Sequence, residues 1–227
     1  MHSAVHVDVP QLELTHAVWY RITKRLFDVV MSVLLIVCLI PLFLVCAILV
    51  WRSSPGPILF RQRRVGALGR EFTFLKFRSM RIDSDPALHR EYVANFIKGT
   101  AKQHSGTNGT MYKLIGDPRV TPTGHWLRRT SLDELPQLIN VVRGEMSLVG
   151  PRPPIPYELE HYKPEHLRRL AVKPGITGLW QISGRSQTTF EQMIALDLEY
   201  IQCASFITDL RILLKTVPVV ISQHGAQ

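Results

Sequence analysis

Five short segments of the 227-residue chain carry side chains whose types and spacing could do chemistry. The first is Thr130-Ser131-Leu132-Asp133-Glu134-Leu135-Pro136-Gln137, where adjacent carboxylates stand at the start of an expected helix. Free N–H groups at a helix start favour negative charge, so they keep a carboxylate ionised and also welcome a phosphate. An ionised Asp133 could attack a phosphoryl group and form an aspartyl phosphate. Glu134 could hold Mg²⁺, which takes one or two carboxylates together with phosphate oxygens. The same residues admit a reading without catalysis, because Ser131 and Glu134 spell an S-x-x-E capping box. Pro136 fits that reading poorly, since it falls inside the helix and not at its first position.

The second segment, Lys76-Phe77-Arg78-Ser79-Met80, ends an expected strand. Two cations on one strand face, followed by a hydroxyl, suit a diphosphate, or else make a solvated face. The third is Gly116-Asp117-Pro118-Arg119. In the fourth, Pro151-Arg152-Pro153, two prolines fix the chain around one permanently charged fork; it suits a phosphate, or is a plain turn. The fifth runs from Gly175 to Arg185, where glycines allow close backbone approach and Trp180 either stacks on a ligand or fills a core, the latter being the preferred reading. A rival diphosphate site, Asp83-Ser84-Asp85, lacks the sizeable nucleotide-binding unit that precedes such pairs in nucleotide-sugar glycosyltransferases, and reads as a solvated loop.

The elements that must position these groups include a long apolar run. No charged residue occurs from Val29 to Trp51, a stretch that as a helix reaches roughly 34 Å, enough for a hydrocarbon core. Arg21, Lys24 and Arg25 precede it, and Arg52, Arg61, Arg63, Arg64 and Arg70 follow. The positive-inside rule would keep both flanks in the cytoplasm, which a straight span cannot do. Pro41 lies mid-run, where it removes a backbone hydrogen bond. A helix that breaks there and returns satisfies both flanks; a kinked span is the alternative. Beyond the breaker Ser53-Ser54-Pro55-Gly56-Pro57, strands are expected at 58–65 and 71–78 as a hairpin, and helices near 86–98, 124–129, 132–143, 157–170, 188–203 and 206–221. In the last, Ile207, Leu210, Leu213, Leu214, Val217 and Ile221 form one stripe that packs on the domain or lies in a bilayer interface.

The net charge of +9 (27 Lys and Arg, 18 Asp and Glu) calls for an anionic partner. The bases cluster beside the apolar run, which points to anionic lipid, and no nucleic-acid motif is evident. Cys38, Cys46 and Cys203 form no CxxC or even framework, and the nine His form no metal signature, so neither a disulfide scaffold nor a zinc site is expected. Residues 1–20 do not read as a secretory signal peptide.

Taken in order, the motifs resemble one family, the bacterial sugar transferases, also called monotopic polyprenyl-phosphate phosphoglycosyl transferases. The resemblance runs from Lys24 to Val217. It rests on Lys24-Arg25-Leu26-Phe27-Asp28, Ser54-Pro55-Gly56-Pro57, Phe60-Arg61-Gln62 and Lys76-Phe77-Arg78-Ser79-Met80. It continues through Asp117-Pro118-Arg119-Val120-Thr121, Leu127-Arg128-Arg129, Leu132-Asp133-Glu134-Leu135-Pro136-Gln137, Gly144 to Pro153, and Lys173 to Gln181. The short length resembles the small members that prime exopolysaccharide synthesis, not the longer ones with four further membrane helices and another domain.

The resemblance implies transfer of a hexose-1-phosphate from a UDP-sugar, galactose or glucose favoured, to undecaprenyl phosphate. UMP would leave and an aspartyl-phosphosugar would form on Asp133. Glu134 would hold Mg²⁺, Arg152 would hold the nucleotide, and Lys76, Arg78, Asp117 and Arg119 would assist substrate binding. It further implies a helix-dominated α+β fold with a small β-hairpin, a re-entrant membrane helix broken at Pro41, and amphipathic interfacial helices. The implied organisation is an N-terminal tail (1–23), a re-entrant helix (24–52), a cytoplasmic-face catalytic domain on the bacterial inner membrane (53–221) and a C-terminal tail (222–227). Family members have Ser before the proline, whereas Ile40 stands here. Homo-oligomerisation is left open. The competing readings are a membrane-bound glycosyltransferase that releases UDP, and a basic membrane-anchored scaffold for polysaccharide assembly. If the helix turns back at Pro41, Pro41→Ala should favour a straight span, and cysteine-accessibility labelling should move residues 20 and 53 from the same face of the membrane to opposite faces.

Overall fold

The apolar run folds as two helices, α1 (Val18–Cys38) and α2 (Ile40–Ser53), bent by 66° at Leu39. The computed structural model describes residues 18–81, 87–100, 104–106, 109–111, 119–184 and 188–221. Pro41 lies in the first turn of α2, where its missing N–H has no intrahelical partner to lose. The chain therefore turns just before the proline, and backbone bonds from Leu39 N to Leu35 O (2.9 Å) and from Phe43 N to Leu39 O (2.8 Å) carry it round the corner. Neither helix alone is long and apolar enough to cross a membrane; the bent pair meets the criterion only when taken together. Helix α1 begins at Val18, inside the segment that the sequence reading gave to the tail.

One side of this pair is built into the rest of the protein. Phe27, Met31, Leu35, Ile36 and Phe43 pack on a core of Phe74, Leu138, Val141, Met146, Leu148, Val149, Tyr200, Ile201 and Ile212. Cys46 and Val50 of α2 are buried against Phe77 and Leu127. The other side leaves Val30, Leu34, Val37, Leu44, Val45 and Ile48 exposed. Such a contiguous apolar face marks an interaction surface. All three cysteines are free, in line with the absence of a disulfide framework.

Polar residues at the start of α1 lock the packing. Lys24 Nζ reaches Asp209 Oδ2 at 2.7 Å and Val149 O at 3.2 Å. Asp28 accepts from Leu148 N at 3.2 Å. Arg25 donates to Val141 O (2.6 Å) and Val142 O (2.9 Å), carbonyls in the last turn of α5 (Gln137–Arg143). These are the acceptors that a helix end leaves open, at its negative pole.

Strands β1 (Leu59–Val65) and β2 (Glu71–Phe77) form the expected antiparallel hairpin, in register from Leu59↔Phe77 to Val65↔Glu71. Its outer edge is not met by a third strand. Instead the Asn140 side chain of α5 accepts from Leu75 N (3.1 Å) and donates to Thr73 O (2.7 Å). One amide thus replaces a strand and fastens β2 to α5.

Helices α3 (Ala87–Ile97) and α4 (Pro122–Arg129) follow, separated by the short strands β3 (His104–Gly106) and β4 (Gly109–Met111), which lie outside the expected elements. Thr121 caps α4 by accepting from Gly124 N at 3.0 Å. A Cβ at Gly124 would lie 2.0 Å from Ser79 O, so only glycine lets α4 approach this closely.

Strands β5 (Ser147–Val149) and β6 (Gly175–Thr177) make a parallel pair that pattern reading did not foresee. The single helix expected at 157–170 is two 3₁₀ segments, Pro156–His161 and Pro164–Ala171, each opened by a proline. Helix α6 (Leu179–Ser183) precedes α7 (Phe190–Cys203), which is capped by Thr189 and Gln192 as a capping box.

Helix α8 (Phe206–Ile221) has the expected bounds, but much of its stripe faces outward. Ile207, Leu210, Leu214 and Val217 are exposed, while Asp209 and Ile212 point into the protein. Asp209 is buried because it accepts from Tyr200 (2.7 Å) and Tyr20 (3.0 Å) in addition to Lys24. The molecule is helix-dominated, with small two-stranded pieces in place of a single hairpin.

The end of α2 is held by Arg78. Its buried guanidinium donates to the carbonyls of Val50 (3.3 Å), Ser54 and Pro57. A lysine has no fork to serve three carbonyls. Arg78→Lys should lower stability by about 2 kcal/mol, read as a drop in the denaturation midpoint of the solubilised protein.

Candidate active site

The Asp133–Glu134 pair sits in a 3₁₀ turn, Leu132–Glu134, between α4 and α5. The single helix expected at 132–143 is broken by Pro136, which stands immediately before α5. Ser131 adopts φ 57°, ψ 15° and its side chain caps nothing. A left-handed serine is an uncommon conformation that costs energy. The capping-box reading is thereby overturned, and the two carboxylates are left for another use.

Asp133 is only 6% exposed, whereas the Glu134 side chain is a third exposed. Lys76, from the face of β2, bridges them: its Nζ lies 2.8 Å from Glu134 Oε1 and 3.5 Å from Asp133 Oδ2. Burial pushes the Asp133 carboxyl above the usual carboxylate range, and the Lys76 charge works against that rise. Glu134 adds to it and Arg128 of α4 opposes it. Arg128 is itself tied down, since its Nε donates to Ser79 Oγ at 2.9 Å. The Lys76-to-Met80 segment thus supplies one cation directly and steadies a second through Ser79.

Other residues singled out in the sequence fall in different places. Arg78 is buried, its two Nη groups turned to the carbonyls of Val50, Ser54 and Pro57 at and beyond the end of α2. Arg152 is exposed, on a turn that follows β5. Arg119 is half-buried on a segment that pairs with the end of the hairpin: Arg81 N donates to Arg119 O at 2.9 Å, and Met80 bridges to Val120. Asp117, and the rival pair Asp83 and Asp85, lie outside the described residues. Trp180 packs against the core formed by Val93, Ile97, Phe190, Met193 and Ile194, as the core reading of that tryptophan anticipated.

Sequence reasoning missed Asn140 and Arg128 as parts of the site. The signal for Asn140 is an amide one helical step from Gln137, among the apolar residues of a short helix. Among the described residues no group of three or more His, Cys, Asp or Glu could hold a metal ion. A site with one open carboxylate beside a second suits Mg²⁺ shared with substrate phosphates and would not suit an all-protein cage.

The arrangement offers a desolvated carboxylate, a neighbouring acid and fixed cations, a set suited to attack on an anionic phosphoryl group whose charge the cations would offset. The family model for bacterial sugar transferases matches residues 19–223, and the chain belongs to that family. It is 45% identical over 211 residues to the galactosyl transferase CpsE of Streptococcus agalactiae, covering 92% of this chain and 44% of that protein. It is 44% identical over 205 residues to the exopolysaccharide production protein ExoY of Sinorhizobium fredii, covering 90% of this chain and 88% of the other. The undecaprenyl-phosphate galactose phosphotransferase of Salmonella typhimurium is 41% identical over 206 residues, covering 91% and 42% respectively. The chain therefore spans less than half the length of two of these relatives and most of the third.

With Lys76 removed, ionised Asp133 loses its nearest compensating charge, so its pKa rises further. If Asp133 is the nucleophile it must be ionised, and the acidic limb of kcat/KM in Lys76→Gln should move to higher pH by about one to two units.

Proposed function

We propose that this chain transfers a hexose-1-phosphate from a UDP-sugar to undecaprenyl phosphate, as the first membrane step of exopolysaccharide synthesis. The observation that carries the proposal is the buried Asp133 held with Glu134 under one lysine. In this reading a carboxylate oxygen of Asp133 attacks the β-phosphorus of the UDP-sugar. The bond from that phosphorus to the bridging oxygen breaks, and the electron pair leaves on UMP. The sugar phosphate remains on Asp133 as an acyl phosphate. An oxygen of undecaprenyl phosphate then attacks the same phosphorus, and Asp133 departs as a carboxylate. Two easier displacements replace one difficult step.

Lys76 serves both halves of the reaction. It favours ionised Asp133 beforehand and offsets charge on the phosphoryl oxygens as they approach. Glu134, the more exposed acid, is the residue for Mg²⁺, which when bound would neutralise diphosphate charge. Arg152 holds the nucleotide, and Arg119 and Asp117 assist substrate binding. Galactose is the leading donor sugar, because two of the relatives carry it in their names, with glucose next.

The outward apolar face of α1 and α2 supports a place in the cytoplasmic face of the bacterial inner membrane, with the bend turning the chain back. That geometry would bring the acceptor's phosphate, at headgroup depth, to the catalytic turn.

The test is to supply solubilised protein with Mg²⁺, undecaprenyl phosphate and a panel of UDP-sugars, and to identify the nucleotide released. UMP is expected. UDP would mean simple glycosyl transfer and overturn the proposal. Asp133→Asn should fold normally and lose at least about 10³-fold in kcat; a folded, active Asn variant would remove Asp133 as nucleophile.

A further inference from the structure

The turn Pro151-Arg152-Pro153-Pro154 contains three residues without an N–H, so it must be held almost wholly through its carbonyls. Four consecutive carbonyls each receive a hydrogen bond, from three parts of the chain. Gly175 N donates to Pro151 O at 2.9 Å. Arg169 Nη2 donates to Arg152 O at 3.0 Å. Arg64 Nη1 donates to Pro153 O at 2.7 Å. Val65 N donates to Pro154 O at 2.9 Å. The two central bonds, to the carbonyl of Arg152 and to that of the next residue, come from guanidinium groups and not from the backbone.

Both of those arginines are buried, which is costly for a charge. Arg169 is compensated. The same Nη2 donates to Asp197 of α7, itself buried, and Nη1 donates to the Tyr162 hydroxyl at 3.0 Å. Arg64 is compensated less. Its Nε donates to Gln62 Oε1 at 2.9 Å and its guanidinium lies 5.0 Å from the centroid of the Phe74 ring, but among the described residues it forms no ion pair. Burial and the like charge of Arg152 lower its pKa to about 10, which leaves it protonated at neutral pH. Two cations kept dry to grip successive carbonyls at and just after an exposed arginine are hard to explain as scaffolding, because a backbone N–H would hold a carbonyl without the desolvation.

We infer that Arg169 and Arg64 are positioning residues, holding the carbonyl of Arg152 and the next carbonyl of the turn so that the Arg152 side chain meets the nucleotide diphosphate already oriented. The inference rests on the reading that Arg152 holds the nucleotide. Tyr162 and Asp197 orient the Arg169 fork, and Arg64 links the turn to the hairpin that carries Lys76. The nucleotide arginine and the catalytic lysine are thus set by one strand pair.

The test is titration of UDP into the full-length solubilised protein, compared across a double-mutant cycle. Arg169→Lys keeps the charge but loses the fork. It should weaken UDP binding about tenfold, and Arg152→Ala should weaken it at least as much. In the Arg152→Ala background, Arg169→Lys should add less than about twofold. With UDP-galactose as donor, its KM should rise while the KM for undecaprenyl phosphate stays within about twofold. If Arg169→Lys does not fold, Tyr162→Phe leaves the ion pair in place, and a two- to threefold loss that vanishes in the Arg152→Ala background reads the same coupling. Equal losses in both backgrounds would overturn the positioning role while leaving Arg152 a nucleotide ligand. No effect of Arg152→Ala on UDP binding would overturn the reading of Arg152 itself and the inference with it.

Discussion

A carboxylate withdrawn from water needs a cation held against it, and most of this structure can be traced to that need at Asp133. Lys76 can answer it only if β2 stays fixed relative to the turn after α4. Asn140 provides that fixity by taking the edge of β2 with its amide and tying the strand to α5, the helix that follows the two acids. Helix α5 is in turn anchored at its far end by Arg25 of α1. The line from the outward-facing helix pair to the Asp133 carboxylate therefore passes through one arginine, one short helix, one amide and one lysine. The arginine and the amide meet backbone that would otherwise be unsatisfied, and the lysine meets the two carboxylates.

How much of this was legible depended on whether an element announces itself locally. The hairpin did, because Phe72, Phe74 and the flanking breakers mark strand period and ends, and its bounds differ from expectation by one residue at each of two ends. Helices α7 and α8 did, through helical period and a capping Thr189. The break in the apolar run was visible as Pro41, although the corner itself falls at Leu39. The parallel pair β5 and β6 was not legible, since three-residue strands far apart in sequence carry no periodic signal. The 3₁₀ segments between Pro156 and Ala171 read as one helix because charge pattern and length dominated over Pro164.

The site was legible as residue types more than as roles. Asp133, Glu134 and Lys76, singled out on separate motifs, stand together in the fold. Arginine was the harder residue to read. In sequence Arg64, Arg78 and Arg169 look like solvated charge, and Arg78 was expected to face substrate. In the fold all three are buried and grip carbonyls. A guanidinium can serve several acceptors at once, so a chain rich in prolines and 3₁₀ turns, which leave many carbonyls unpaired, finds in arginine a general mortar. The net positive charge is thus partly architectural, and only partly a statement about partners.

The docking of α1 has a bearing on how the protein can be divided. Lys24, Arg25 and Asp28 are inserted between α5, β5 and α8, while Cys46 and Val50 fill a cavity floored by Phe77 and Leu127. A fragment cut after Ser53 would lose the lysine that neutralises Asp209, bare the carbonyl end of α5 and open a trench along the main core. The helix pair is consequently a keystone and not a leash. Solubility gained by trimming it would come at the expense of the very helix that precedes Asp133 and Glu134 in the chain of support, and any water-soluble version would have to rebuild that face, residue for residue, with polar groups on its outer side alone.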